Sequence, residues 1–243
     1  MSRSILITGA SSGIGASVAR TFLAEGWQVG LLARGQAKLA ALAKGYDNAH
    51  VLKADVTNVN EVQSAFDLFV TSVGRLDVLF NNAGMFGEQA PIDEISLENW
   101  QQVMGVNLHG MFLCARAAFA QMRMQAPQGG RIINNGSISA HNPRPGSVCY
   151  TTTKHAITGL TKSLSLDGRP FDIACGQIDI GNARTELVED LTARLEAEGK
   201  PVQPTMDVED VARAVWHMAS LPPEANVQWM TVMATKMPYI GRG

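Results

Sequence analysis

The run Ser4-Ile5-Leu6-Ile7-Thr8 passes directly into Gly9-Ala10-Ser11-Ser12-Gly13-Ile14-Gly15, and this junction constrains the fold more than any other stretch of the chain. A short apolar run cut off by glycine reads as a strand buried on both faces, and Ile14 to Glu25 continues with helical periodicity. A strand that turns through glycines straight into a helix opens a βαβ unit. The rhythm then repeats: Trp27 to Leu32, His50 to Lys53, Leu76 to Phe80, Arg131 to Asn134 and Ile173 to Ile178 read as strands. Lys38 to Lys44, Val59 to Val73, Leu97 to Met124 and Tyr150 to Leu166 read as the helices between them. Such alternation predicts right-handed crossovers and a doubly wound parallel sheet, an α/β fold with helices on both faces. No Pro/Ser-rich linker or repeat breaks the rhythm, so residues 1–243 are expected to form one domain. Two stretches depart from it: a polar segment of about 182–205 with a helical middle, and a tail from Pro222 with a last strand near Gln228 to Met233. Insertions after late strands of such sheets usually cover the ligand crevice.

Composition removes several function classes. With 46% hydrophobic and 17% charged residues the chain is too apolar to remain disordered. Twenty Lys and Arg against 22 Asp and Glu give a net charge of −2, which leaves no basic field for nucleic acid or an anionic membrane. Cys114, Cys149 and Cys175 are odd in number and widely spaced, which fits a reducing compartment better than disulfides or zinc. The five histidines include no H-E-x-x-H pair, so no metal is expected. The apolar run near the N-terminus is shorter than a signal h-region. The longest uncharged stretch, Asn99 to Ala115, carries Gln101, Gln102, Asn107 and His109 and would span a membrane poorly. A soluble, cytoplasmic protein is the expectation.

The glycine spacing G-x-x-x-G-x-G allows a tight turn and close backbone approach. With Ser11, Ser12 and Ile14 it places free N–H groups and a positive helix end where a pyrophosphate would sit. A glycine-rich turn without a ligand is the alternative. Tyr150 and Lys154, four residues apart, share one helix face. Unit charges about 4 Å apart at an effective dielectric near 20 interact by about 4 kcal/mol, enough to draw a phenol from about 10 toward about 7. Tyr150 is then a candidate general acid/base. The bland alternative is a buried tyrosine beside a surface lysine.

The glycine motif, Asn81-Asn82-Ala83-Gly84 after the fourth strand, Asn107, Ser137 and Tyr150-Thr151-Thr152-Thr153-Lys154 occur here in the order found in the short-chain dehydrogenase/reductase family. Ser137 stands thirteen positions before Tyr150, the family's usual interval, which singles it out from Ser139. The chain resembles that family from about residue 4 to 185. The resemblance implies a Rossmann-type sheet and hydride transfer between a nicotinamide cofactor and a carbonyl or alcohol. It assigns Tyr150 as acid/base and Ser137 as hydrogen-bond donor, places both Tyr150 and Lys154 among the cofactor-binding residues with Lys154 also holding the nicotinamide ribose, and gives Asn107 as support for a water chain from Lys154 to solvent. The alternative for Asn107 is only to satisfy backbone groups where the helix bends next to Gly105 and Gly110. Asp55, followed by Val56, matches the position that bonds adenine; capping of the next helix is its rival role. Asn82, Ala83, Gly84, Ile180 and Thr185 complete the cofactor set. In Ile178-Asp179-Ile180-Gly181-Asn182-Ala183-Arg184-Thr185 the glycine and threonine are kept, and Ile180 stands where many members carry proline. The tail from Val232 to Gly243 lacks the Gly-rich ending of many members, and Pro222-Pro223 followed by a strand resembles NADP-dependent 3-hydroxy-acid dehydrogenases and related alcohol dehydrogenases.

An acid about 20 residues beyond the glycine loop selects NAD. Here Ala33 takes that place and Arg34 follows, a planar donor fork suited to a 2′-phosphate. NADP(H) is therefore expected, with NAD(H) as the alternative if Arg34 only stacks on adenine. Met85, Phe86, His141, Asn142, Pro143 and the 182–205 segment are expected to border the substrate. Arg144 and Arg184 are candidates to hold a substrate carboxylate, or else simply solvated. Cys149 has no basic partner placed by sequence and reads as a small buried residue. Apolar positions beyond one stripe (Val103, Val106, Phe112, Ala117, Phe119; Ile157, Leu160, Leu164) suggest that part of each long helix meets another subunit, unless both are simply core helices of a large domain. The family resemblance implies a homodimer or homotetramer built on these two helices. The leading expectation is an NADP(H)-dependent carbonyl reductase or alcohol dehydrogenase. A noncatalytic dinucleotide sensor or scaffold, and a lyase or epimerase on the same fold, are the competing readings.

Overall fold

The computed structural model describes residues 2–197, 199 and 201–240, without the side chains of residues 187, 191 and 194. The ends of the expected domain, residue 1 and residues 241–243, lie outside the described residues. The first half runs β1 (Ser4–Thr8), α1 (Gly13–Ala24), β2 (Gln28–Ala33), α2 (Gln36–Ala43), β3 (Ala49–Lys53), α3 (Val59–Val73), β4 (Val78–Asn81), α4 (Leu97–Met104) and α5 (Met111–Met124). The second half runs β5 (Gly130–Asn135), α6 (Val148–Gly168), β6 (Ile173–Ile180), β7 (Ala183–Arg184), α7 (Glu186–Ala197), β8 (Met206–Asp207), α8 (Val208–Ser220) and β9 (Trp229–Val232).

Seven strands form one parallel sheet in the order β3-β2-β1-β4-β5-β6-β9. Its strands are apolar on both faces because both faces are covered. Ile5 and Ile7 enter one core layer with Val29, Leu31, Val78 and Phe80, while Leu6, Leu32 and Leu79 enter the other. That alternation is the period of two of a strand. The first layer is closed by α1, α2 and α8 through Val18, Phe22, Leu39, Val211 and Val215. Phe66 and Phe69 of α3 and Leu113 and Cys114 of α5 close the second. This is a Rossmann-type α/β domain. Because β1 pairs with β2 on one side and β4 on the other, the sheet reverses direction there and opens a crevice beyond the carboxyl ends of β1 and β4.

The structure corrects several element boundaries. The expected helix from Leu97 to Met124 is interrupted by a π-helical turn, Gly105–Gly110. By length and composition this is the single described stretch apolar enough to cross a membrane, with mean hydropathy 1.3, yet half of that window is buried inside the domain. Helix α8 went unread in sequence although Val208, Val211, Ala212, Val215 and Ala219 carry helical spacing. It packs on α1, where Trp216 meets Phe22 edge-on with ring centres 4.9 Å apart. The polar 182–205 segment does contain a helix, α7, set between the paired short strands β7 and β8. Val103, Ala117 and Ile157, expected to help meet a second subunit, are buried in the chain's own core; Phe112 remains exposed.

Candidate active site

The site starts from the glycine loop. Gly9 and Gly13 have φ of +68° and +53°, backbone that side chains rarely adopt. A Cβ on Gly15 would lie 2.3 Å from the Gly9 carbonyl oxygen, so the turn closes only with glycine there. Ser12 caps α1 without a side-chain hydrogen bond, and no acid stands in the first turn. The first N–H groups of α1 therefore face the cleft without a capping partner, the arrangement that suits a phosphate anion.

Hydrogen bonds run from this loop to the lysine. Thr8 Oγ1 accepts from the N–H groups of Asn82 at 2.8 Å and Ala83 at 2.9 Å. Asn82 Nδ2 donates to the Thr8 carbonyl at 2.9 Å. Asn135 Nδ2 donates to Asn82 Oδ1 at 2.8 Å, and Lys154 Nζ donates to the Asn135 carbonyl at 2.7 Å. Thr8 and Asn135 were missed by sequence reasoning; the usable signal was polar residues at the ends of otherwise apolar strands.

Lys154 is only 4% exposed, so the reading of it as a surface lysine fails. Burial draws its ammonium down to about 8, although the Asp179 carboxylate pulls the other way. Tyr150 stands one turn away, its ring centre 5.4 Å from Lys154 Nζ and 5.0 Å from the ring of Phe86. Burial pushes its phenol above the ordinary value, against the pull of a hydrogen bond from Ser137 and the charge of Arg144. This corrects the expectation of a phenol drawn toward neutrality. The ammonium is engaged by the Asn135 carbonyl, and loss of solvation outweighs the neighbouring charges.

Ser137 is buried at the end of β5, where its Oγ accepts from the Ser139 N–H at 3.1 Å. Asn107, inside the π turn, brackets the Met85 backbone: its Oδ1 accepts from Met85 N and its Nδ2 donates to Met85 O, both at 2.8 Å. Nδ2 also reaches Thr153 Oγ1 at 3.3 Å. The backbone-satisfying role is thus present for its side chain. Asn58, not Asp55, caps α3. Asp55 instead accepts from Thr57 N at 2.9 Å and Thr57 Oγ1 at 2.8 Å. Burial raises its carboxyl, but those bonds and the Arg34 charge hold it below the usual range.

One cleft of about 810 Å³ gathers these groups. Every residue assigned by sequence to the dinucleotide lines it, from Gly9, Ser11 and Ser12 through Arg34, Asp55 and Asn82 to Ile180 and Thr185. Ser137, Tyr150 and Lys154 line it as well, with Met85, Phe86 and Arg144 beside them. Asn107 lies beneath the surface, and His141, Asn142, Pro143 and Arg184 are not among the lining residues. From the 182–205 segment, Asn182, Ala183, Glu186, Val188 and Asp190 contribute. Burial pushes the Cys149 thiol up, which leaves no thiolate beside Tyr150 at neutral pH.

Residues 3–196 match the model of the short chain dehydrogenase family. The chain is 34% identical over 189 residues to a 3beta-hydroxysteroid dehydrogenase of Mediterraneibacter gnavus, covering 76% of this chain and 67% of that protein. It is 30% identical to sulfoacetaldehyde reductase 2 of Chromohalobacter salexigens over 98% of this chain and 97% of the relative. Among solved structures, the closed form of serine dehydrogenase complexed with NADP+ superposes with a TM-score of 0.88 at 27% identity, covering 99% of this chain and 98% of that one. That neighbour holds NADP+, and the glycine cradle of this chain with its uncapped helix end fits the pyrophosphate of such a group. The chain belongs to the short chain dehydrogenase family and is an NAD(P)-dependent oxidoreductase acting on CH–OH donors.

Proposed function

We propose that this oxidoreductase interconverts a small carbonyl compound and its alcohol, with NADP(H) as the preferred cofactor. The observation that carries the reading is that Ser137, Tyr150 and Lys154 line the same cleft as an uncapped helix N-terminus behind Gly9, Gly13 and Gly15. The nicotinamide, when bound, supplies or takes the hydride. Ser137 donates its hydroxyl proton in a hydrogen bond to the substrate oxygen, and Tyr150 delivers the proton as negative charge develops there. A phenol held above its ordinary value is the protonated form at neutral pH, which suits the direction of carbonyl reduction. Lys154 holds the ribose hydroxyls from its seat on Asn135, and a water chain past the π turn at Asn107 restores the proton. A pure sensor or scaffold has no need of a buried lysine beside a half-buried tyrosine, which disfavours that reading.

Arg144 is the cation on the substrate side, and among the described residues it makes no ion pair. It favours a carboxylate- or sulfonate-bearing carbonyl compound, in keeping with the sulfoacetaldehyde reductase among the relatives. The test is NADPH consumption by the purified protein against ketones, aldehydes and oxo acids with and without an anionic group. Turnover of none of them would overturn the reading. Three unpaired buried cysteines suit a reducing, cytoplasmic setting. Exposed Phe112 and Leu166 favour pairing of the α5 and α6 faces in a homodimer or homotetramer; a solution mass equal to one chain would exclude it.

Lys154 gives a pH prediction for the free enzyme. Its proton affinity is lowered from 10.5 to about 8, so the charge is present at pH 7 and is lost as pH rises through about 8. NADPH affinity should therefore weaken between pH 7 and 9 in equilibrium fluorescence titrations. A Lys154→Met variant should bind weakly with no such slope. A wild-type profile that stays flat across that range contradicts the assignment.

A further inference from the structure

Asp179 is a carboxylate 1% exposed, beside the candidate catalytic groups, and none of the roles above uses it. Its Oδ1 accepts from the Ser137 backbone N–H at 2.9 Å and from Gln177 Nε2 at 2.7 Å. Its Oδ2 accepts from the ring of His141 at 2.9 Å. No lysine or arginine among the described residues forms an ion pair with it. A buried carboxylate is tolerated when several N–H donors satisfy it, and here three do. The surroundings are shaped to it. A Cβ on Gly136 would lie 2.1 Å from Oδ1, so glycine before the serine makes room for the acid. Gln177 is fixed in turn by donating to Thr158 Oγ1 and accepting from Thr161 Oγ1, both at 3.1 Å. His141 lies on the loop that leads from Ser137 to Tyr150, and its side chain is 41% exposed.

We propose that Asp179 and His141 form a positioning pair for the reductase chemistry. Asp179 pins the Ser137 backbone to the end of β6, and His141 latches the same carboxylate from the loop that carries Arg144 to Tyr150. The serine, the tyrosine helix and the substrate-side loop thereby hold one geometry. This rests on the Ser137, Tyr150 and Lys154 reading given above. The charged or titratable groups around Asp179 are His141 on the loop and Tyr150 and Lys154 on α6, with Arg144 acting on Tyr150. Because the Asp179 charge raises the proton affinity of both Tyr150 and Lys154, its removal should lower both.

The experiment compares His141→Ala, His141→Gln, Asp179→Asn and Tyr150→Phe on the best carbonyl substrate. His141→Ala should lose kcat about tenfold, as for a reacting group displaced by a fraction of an ångström, with NADPH Kd unchanged. His141→Gln, which keeps an N–H donor, should recover most of the loss. Asp179→Asn should move the pH profile of alcohol oxidation about one unit toward acid, a shift that a merely structural residue would not produce. If Asp179→Asn does not fold, the two His141 variants decide. Full kcat in His141→Ala, no difference between the alanine and glutamine variants, or an unmoved pH profile in folded Asp179→Asn each overturns the pair. Turnover surviving in Tyr150→Phe would overturn the reductase reading and this inference with it. An inert Tyr150→Phe beside a fully active His141→Ala overturns the pair alone.

Discussion

Tyr150→Phe is expected to reduce turnover about a thousandfold while changing NADPH affinity by no more than a few fold. The lost group is the phenolic proton donor, and removal of a positioned general acid costs roughly two to four orders of magnitude. Binding survives because the other contacts of the cleft do not pass through the hydroxyl. Lys154 is held by the Asn135 carbonyl at 2.7 Å, and the ring still packs against Phe86. The helix bearing both residues is set by buried Thr153, Ile157 and Thr161. Single-turnover reduction followed by NADPH absorbance, with Kd measured separately by fluorescence, splits the two effects. Retention of a tenth or more of wild-type turnover would show that the proton comes from elsewhere.

How much of this was legible beforehand depends on the distance over which each signal acts. The glycine loop, the strands β1 to β6 and α3 are specified locally, by apolar runs, by Asn58 capping and by Gly74 at φ 88°, and their positions in sequence hold to within a few residues. A bend next to Gly105 and Gly110 was in view, but not its π-helical form over Gly105–Gly110, where Asn107 binds the Met85 backbone 22 residues away. Helix α8 had an apolar stripe of its own, but it follows the irregular 182–205 segment, where the alternation of strand and helix is lost. The Tyr150 phenol was misjudged for a different reason. Helical spacing gives the proximity of Lys154 but not the burial of both groups, and burial decides the direction. Asp179 was in view as part of an unusual strand end. Its signal was Gln177 and Asp179 two apart, on one face of a strand that is otherwise almost wholly apolar, and their partners Ser137, His141 and Thr161 are fixed only by the fold.

Arg34→Ala should lower kcat/KM for NADPH while leaving NADH nearly unchanged. In the fold Arg34 follows directly on β2 and lines the cleft beside Ala33, so no carboxylate at the strand end repels a 2′-phosphate. The nearest acid is Asp55, whose Oδ2 lies 3.9 Å from Arg34 Nη1, with side-chain exposures of 33% and 76% respectively. A pair that open contributes only about 0–1 kcal/mol, so the guanidinium gives it up readily for a phosphate. Asp55 is in any case occupied on Oδ1 by the Thr57 N–H and hydroxyl. A charge-assisted contact is worth about 1.5–3 kcal/mol, or roughly ten- to a hundredfold in affinity. The exposure of Arg34 places the effect nearer the lower figure, because solvent screens the guanidinium even when phosphate is bound. The ratio of kcat/KM for NADPH over NADH should therefore fall by about tenfold or more in the variant, through KM rather than kcat, since Arg34 stands at the far end of the cleft from Tyr150. Equal use of the two cofactors by the wild-type enzyme, or an equal loss for both in the variant, would remove the 2′-phosphate role and leave Arg34 as an adenine-stacking residue.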